Sequence, residues 1–260
     1  MTVWRVFRIA LLVGWQDFQM FWTLRTWLLG WLSRILTSAM IWVLLGRMTG
    51  APGQTEYLLI GNAAVAGVGT FAIAASAWDR WEGTYPLLVV APTSMVPALM
   101  GRMSIWIGHW FASSMAAFIF LMVVFGWRPS PILFLPVPIA VALLSTSTFC
   151  FSLFLGALAG LVIQLRNILI NLLTTAIIAF CGVSIPVSFW PGWVQVIANI
   201  LPTTHGVEAV RLMLSGAPAA DILLALALEA VVGLGWLVAA LLAIDRIAET
   251  GRADGSIEFT

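Results

Sequence analysis

The chain has 260 residues, of which 62% are hydrophobic and only 9% are charged, with a formal net charge of +1. Soluble domains carry about a quarter charged residues, so this composition excludes a soluble globular domain. The 14 Trp and 15 Phe lie in long apolar runs whose solvent has to be lipid. All twelve basic residues are Arg, whereas the phosphate-binding loop of P-loop ATPases needs a Lys. The chain therefore does not carry that ATPase site, and ATP-driven action requires a second subunit.

The first 27 residues predict an amphipathic helix that lies in the membrane surface without crossing it. Apolar residues recur at helical spacing, with polar residues between them. The apolar set is Trp4, Phe7, Leu11, Trp15 and Phe18, and the polar set is Arg5, Arg8, Gln16 and Asp17. A short buried helix is the alternative interpretation.

Six later segments are apolar and long enough to cross about 30 Å of hydrocarbon as helices. They are residues 28–46, 57–77, 104–126, 132–160, 168–187 and 222–244. Arg34 lies inside the first segment and has to reach the interface or find a partner. Pro136 and Pro138 predict a bent or non-helical start of the fourth segment. The expected fold class is an all-α integral membrane protein with six transmembrane helices.

The distribution of Arg between the spans predicts the orientation, because positive residues are retained on the cytoplasmic side. With a cytoplasmic N-terminus, nine Arg are cytoplasmic and three are external. The nine are Arg5, Arg8, Arg25, Arg34, Arg80, Arg102, Arg166, Arg246 and Arg252, and the three are Arg47, Arg128 and Arg211. Both termini are therefore expected in the cytoplasm, which requires an even number of crossings.

The segment 79–103, between the second and third spans, is too polar to cross the membrane. The segment begins with three charged residues, Asp79, Arg80 and Glu82, and these are followed by Gly83 and Thr84. Thr84 can cap a short helix whose first turn contains Pro86, a position at which Pro is tolerated. The segment therefore predicts a short rigid helix beside the membrane, which another protein can push.

The pattern E-G-T, then apolar residues, A-P-T-S and G-R, resembles one loop of the type-2 ABC transporter permeases, whose fold is shared with ABCG-like exporters. In that family the loop is the coupling helix that docks on the nucleotide-binding subunit. The matching residues are Glu82, Gly83, Thr84, Leu88, Pro92 and Arg102. Tyr85 and Pro86 depart from the Leu and the acidic residue that are commoner there. The resemblance implies that these residues, with Asp79 and Arg80, couple this chain to a separate ATPase.

The external segment 186–221 resembles the same family's stretch between the fifth and sixth spans, where short helices dip into the outer leaflet above the exit. The resemblance is carried by Pro191, Trp193, Leu201, Pro202, Thr203, Glu208, Arg211 and Gly216. Glu208 and Arg211 are three residues apart and are expected to form a local ion pair. His205 is a candidate pH sensor or a hydrogen-bonded structural residue.

Polar residues within the spans are candidates for a substrate pathway, because such groups usually face protein or water. They are Asn62 in the second span, Asn167, Asn171 and Thr174 in the fifth, and Glu229 in the sixth. The resemblance implies that second- and fifth-span faces meet at the central pathway of a dimer. Helix-to-helix hydrogen bonding within one subunit is the alternative. Glu229 is a candidate for cation attraction or proton acceptance, or for a hydrogen-bonded packing role.

The resemblance implies an exporter permease of the multidrug and antibiotic-efflux branch, which moves an amphipathic drug, antibiotic or lipid-like molecule. Its ATP and Mg are bound by the partner ATPase, and a second permease subunit, identical or paralogous, completes the pathway. The domain division is 1–27 for the interfacial helix, 28–246 for the permease and 247–260 for a cytoplasmic tail. Export of a polysaccharide or glycolipid is the alternative cargo, and a secondary transporter or membrane enzyme the alternative class. The expected location is the bacterial inner membrane.

Overall fold

The computed structural model describes residues 2–68, 83, 87–88, 94–161 and 165–254, and these residues contain no β-strand. The α-helices are α1 (Val3–Phe21), α2 (Leu24–Thr26), α3 (Ser33–Thr49), α4 (Gln54–Val65), α5 (Val96–Met103), α6 (Ile105–Phe125), α7 (Pro131–Phe134), α8 (Val137–Leu161), α9 (Leu165–Phe180), α10 (Gly192–Ile200), α11 (Thr204–Ser215) and α12 (Ala219–Asp254). A π-helix, Trp27–Leu32, joins α2 to α3, and a 3₁₀ turn, Val187–Phe189, precedes α10. The all-α class predicted from the sequence holds for these residues.

Four described segments are long and apolar enough to cross a membrane. They are Leu24–Thr49, Val96–Phe125, Pro131–Ala159 and Ala219–Thr250, and they contain the first, third, fourth and sixth predicted spans in whole or in large part. The second predicted span begins as α4 and continues into residues outside the described ranges. The fifth overlaps α9, a shorter apolar helix that begins at Leu165 and ends at Phe180. The count of six spans therefore stays a prediction.

Two predicted boundaries differ from the structure. The helix of the third span begins at Val96, so the last eight residues of the predicted segment 79–103 belong to α5. Pro97 lies in the first turn of α5, where a helix loses no hydrogen bond to a Pro, so this residue starts the helix instead of ending it. At the other end of the chain, α12 runs to Asp254, and the predicted tail from residue 247 is helical over its described part.

The start of the fourth span is interrupted, as its two prolines predict. The short helix α7 ends at Phe134, and α8 begins at Val137 after the turn at Leu135 and Pro136. Pro136 has no N–H group with which to continue the backbone hydrogen bonds of α7. The long straight part of this span is therefore α8.

Different helices form the two ends of the bundle. At one end α1 packs along α5, and α5 contacts the C-terminal part of α12, so the first and last helices lie together. At the opposite end α11 packs between α4, α8 and α12, and α10 lies beside α9 and α11. We call these the α1 end and the cap end.

The helix α1 approaches α5 closely through a glycine. A Cβ atom at Gly14 would lie 2.0 Å from the carbonyl oxygen of Arg102, so no larger residue fits at this crossing. The side chain of Arg102 also forms an ion pair with Asp17, with Nε 2.5 Å from Oδ2. Of the apolar residues predicted on one face of α1, Trp4 and Trp15 are exposed, whereas Phe18 is half-buried beside Trp106. The helix α1 therefore has one face against protein and a second, exposed face that is also apolar.

Candidate functional site

A cavity of about 170 Å³ lies between α3, α4 and α9. Its lining residues are Arg34, Ile35, Ser38, Ala39 and Trp42 from α3, Asn62, Val65, Ala66 and Val68 from α4 and its end, and Leu173, Thr174, Ile177 and Ile178 from α9. Most of this wall is apolar, and four side chains add a guanidinium, an amide or a hydroxyl group. Ligand sites in proteins commonly combine an apolar wall with a few polar groups that fix orientation.

The cavity brings together two of the predicted pathway residues, Asn62 and Thr174. The amide nitrogen Nδ2 of Asn62 donates to the carbonyl oxygen of Leu58 at 2.9 Å, which leaves the amide oxygen and one N–H for another partner. The hydroxyl of Thr174 donates to the carbonyl oxygen of Ile170 at 3.0 Å. Faces of the second span and of α9 thus meet within a single subunit, around a shared space.

Two other predicted pathway residues, Asn167 and Asn171, lie elsewhere on α9. Both are exposed, and neither lines the cavity. Asn167 precedes Thr174 by two helical turns, about 10 Å, so it lies beyond the end of the cavity although it has a similar angular position. A role for Asn167 and Asn171 in a substrate pathway therefore stays a prediction.

The sequence did not indicate that Arg34 would line the cavity. Its guanidinium carbon lies 4.4 Å from the ring centre of Trp31, one turn earlier in the chain. Among the described residues that line the cavity there is no Asp or Glu. The available signal was the position of an Arg within an apolar segment that has no acidic residue of its own.

Glu229 lies outside the cavity and is fully buried under the cap. Its two carboxyl oxygens accept hydrogen bonds from the backbone N–H groups of Thr203, at 3.0 Å, and Gly206, at 2.8 Å. These groups open α11, where backbone donors have no partner within the helix. Thr203 adopts a positive φ of 85°, which a Thr rarely does. A side chain from α12 therefore serves as the N-terminal cap of α11.

Arg211 joins α11 to two other parts of the chain. Its Nη2 donates to the carbonyl oxygens of Tyr57, at 3.2 Å, and Val183, at 3.1 Å, and its guanidinium carbon lies 3.6 Å from the ring centre of Tyr57. The predicted ion pair with Glu208 is wrong, because the guanidinium points inward to these acceptors while Glu208 is exposed. Arg211 therefore fixes α11 to the start of α4.

A family model described as ABC-2 type transporter matches residues 10–214, which is most of the chain. The chain belongs to the ABC-2 type transporter family. It is therefore the transmembrane subunit of an ABC transporter, a multi-pass membrane protein that works with ATPase partners. Comparisons with curated proteins and with solved structures gave no match.

In this ABC-2 permease the predicted cap residues lie on α10, on α11 and in the turns beside them. Pro191 directly precedes α10, and Trp193 in its first turn is 69% exposed. Pro202 is buried in the turn before α11. The Nε2 atom of His205 lies 3.2 Å from the carbonyl oxygen of Asn199, so its ring bridges α11 and α10. Gly216 ends α11 with a positive φ of 70°.

The predicted ATPase-coupling segment of the permease is only partly described. Asp79, Arg80, Glu82, Thr84 and Pro92 lie outside the described residues. Gly83 has a positive φ of 69°, and Leu88 is helical. Arg102 lies on α5, where its ion pair with Asp17 fixes it to α1.

Proposed function

We propose that this ABC-2 permease forms the membrane pathway of an ATP-driven exporter and that its cargo is an amphipathic small molecule. A drug, an antibiotic or a lipid-like compound has this chemistry. The cavity between α3, α4 and α9 carries the proposal, because its wall offers a large apolar surface with hydroxyl, amide and guanidinium groups. An apolar cargo with one polar part complements such a wall.

The energy for export would come from partner ATPase subunits that bind ATP and Mg. These subunits would dock on the segment 79–103, as the resemblance of Glu82, Gly83 and Thr84 to the family's coupling helix suggests. Both termini would face the cytoplasm of a bacterium, in line with the Arg distribution and with α5, which packs against both α1 and the C-terminal part of α12. A second permease subunit, identical or paralogous, would complete the pathway.

The proposal is tested by coexpression of the chain with its cognate ATPase, followed by purification and reconstitution into vesicles. We expect the ATPase to copurify and fluorescent amphipathic compounds to accumulate only with ATP. The matched control is the same complex whose ATPase lacks the Lys of its phosphate-binding loop, which should give no accumulation. Transport by the purified chain with no ATPase present would refute the proposal.

The same vesicles separate the two cargo classes. ATP-dependent movement of a glycolipid, without movement of any amphipathic small molecule, would refute the proposed cargo and favour the polysaccharide or glycolipid alternative. ATP-dependent movement of the small molecules supports the proposed cargo. In both cases the copurifying ATPase supports the assignment as an ABC exporter.

A further inference from the structure

Arg34 brings a positive charge into the first membrane span. It lies near the start of α3, within the apolar segment Leu24–Thr49. At about 1.5 Å per residue it is about 15 Å from the beginning of that segment. Charged groups at such a depth are costly and usually face protein or a water-filled space. Arg34 is exposed in the single chain and lines the cavity, and none of the described residues pairs it with a carboxylate.

The contact that Arg34 makes in the chain leaves its hydrogen-bond donors available. Its guanidinium lies over the ring of Trp31, at 4.4 Å, and a contact with a ring face uses none of its five N–H groups. The part of the chain that the structure describes contains no ion pair of Arg34. Arg102 and Arg211 differ, since Nε of Arg102 is paired with Asp17 and Nη2 of Arg211 donates to two backbone carbonyls.

The other described residues of the cavity wall add hydrogen-bond donors and no negative charge. Ser38 contributes a hydroxyl group, and Asn62 retains one amide N–H beyond its bond to Leu58. A cation in this space would meet the charge of Arg34 without a compensating carboxylate. An anion would meet a guanidinium whose planar fork matches carboxylate, sulfonate and phosphate groups.

We propose that the cavity selects amphipathic anions, with the acidic group of the cargo bound to Arg34 and its apolar body held against Trp42, Ile35 and Ile177. This inference rests on the proposed function, because it assigns the cavity to the cargo. It makes Arg34 a specificity-determining residue of the permease. The acidic group takes the place of a carboxylate partner, which none of the described residues provides to Arg34.

The test uses two fluorescent probes that differ only in an acidic group, 1-anilinonaphthalene-8-sulfonate and neutral N-phenyl-1-naphthylamine. Binding is measured on the permease–ATPase complex in nanodiscs, with empty nanodiscs subtracted. We expect the sulfonate to bind at least tenfold more tightly than the neutral probe. Arg34→Gln should remove that preference, whereas Arg34→Lys, which keeps the charge, should retain part of it. Arg25→Gln is the matched control, because Arg25 is exposed and outside the cavity.

Equal binding of the two probes to the wild-type complex, or no binding of the sulfonate, would overturn the inference, and neither result depends on a variant that folds. A preference that survives in Arg34→Gln would overturn the role of Arg34. Binding needs no ATP, so it also separates this inference from the proposed function. If the complex prefers the sulfonate but transports nothing with ATP, the inference is supported and export is refuted. If the complex transports with ATP but does not prefer the sulfonate, export is supported and the inference is refuted.

Discussion

The charged side chains at the cap end and in the cavity of this ABC-2 permease differ in their contacts. At the cap end the carboxyl group of Glu229 accepts two backbone N–H bonds, and the guanidinium of Arg211 donates to two backbone carbonyls. In the cavity Arg34 contacts one aromatic ring. The first two charges hold helices together, whereas Arg34 faces a space large enough for part of a ligand.

The difference in partners indicates which charged residues have a structural role and which are available to a ligand. A buried charge with backbone partners fixes the position of a helix end, and its removal leaves those partners without hydrogen bonds. A charge without such partners contributes little to folding and remains available to another molecule. Substitution of Glu229 or Arg211 should therefore lower the stability of the protein more than substitution of Arg34. Substitution of Arg34 should weaken ligand binding more than substitution of Glu229 or Arg211.

The largest loss of stability is expected for Glu229→Ala. The change leaves the buried N–H groups of Thr203 and Gly206 without an acceptor, at a cost of about 1–3 kcal/mol each. We expect a clear fall in the apparent unfolding temperature in detergent, together with partial loss of efflux because α11 is no longer fixed. Glu208→Ala is the control, since Glu208 lies on α11, the helix that Glu229 caps, and is exposed.

A milder change at Glu229 tests its contribution to transport. Glu229→Gln keeps one oxygen acceptor and should retain part of the stability. Efflux and cargo-stimulated ATP hydrolysis that both stay at the wild-type level in this variant would contradict a role for Glu229 in transport. An unfolding temperature of Glu229→Ala equal to that of the Glu208→Ala control would contradict the structural role.

A smaller loss is expected for Arg211→Met, which keeps an apolar side chain of similar length. It removes the hydrogen bonds to Tyr57 and Val183, which contribute about 1.5–3 kcal/mol each for a charged donor. It also removes the cost of burying the guanidinium, whose Nε has no hydrogen-bond partner among the described residues, and this offsets part of the loss. The apparent unfolding temperature should fall, and hydrogen exchange should increase at the start of α4. Arg128→Met, at an exposed position, should have little effect. Equal unfolding temperatures for these two variants would show that Arg211 does not fix α11.

The smallest change in stability is expected for Arg34→Gln. The variant loses one cation–π contact, which is worth about 0.5–1 kcal/mol at an exposed site, and it also removes a charge from an apolar span. These terms oppose each other, so the unfolding temperature without ligand should stay close to that of the wild type. A fall as large as that of Arg211→Met would mean that Arg34 has a structural partner.

The sequence was sufficient for features that depend on neighbours along the chain. Apolar runs located the four described segments that are long and apolar enough to cross a membrane, and Pro136 located the break before α8. Asn62 and Thr174 were found because they are polar residues on otherwise apolar helices. The helix α11 ends at Gly216, the residue with which the resemblance closed the cap motif.

The features that the sequence did not reveal depend on contacts between distant segments. Arg211 was expected to pair with Glu208 because residues three apart share a helix face, but its acceptors belong to Tyr57 and Val183. The partners of Glu229 are backbone groups, which carry no signal in the sequence. The cavity position of Arg34 depends on how α3 packs beside α4 and α9, which the pattern of one helix does not contain.

The most direct test of this account asks whether the cavity between α3, α4 and α9 carries the cargo. In Thr174→Trp an indole would fill part of the cavity, whereas Thr175→Trp, one residue along α9, places the same group at an exposed position outside the lining. ATP-dependent transport is measured in vesicles for both variants, after copurification of the ATPase has been verified. The account predicts at least a tenfold loss of transport for Thr174→Trp and near wild-type transport for Thr175→Trp. Equal transport by the two variants would contradict it.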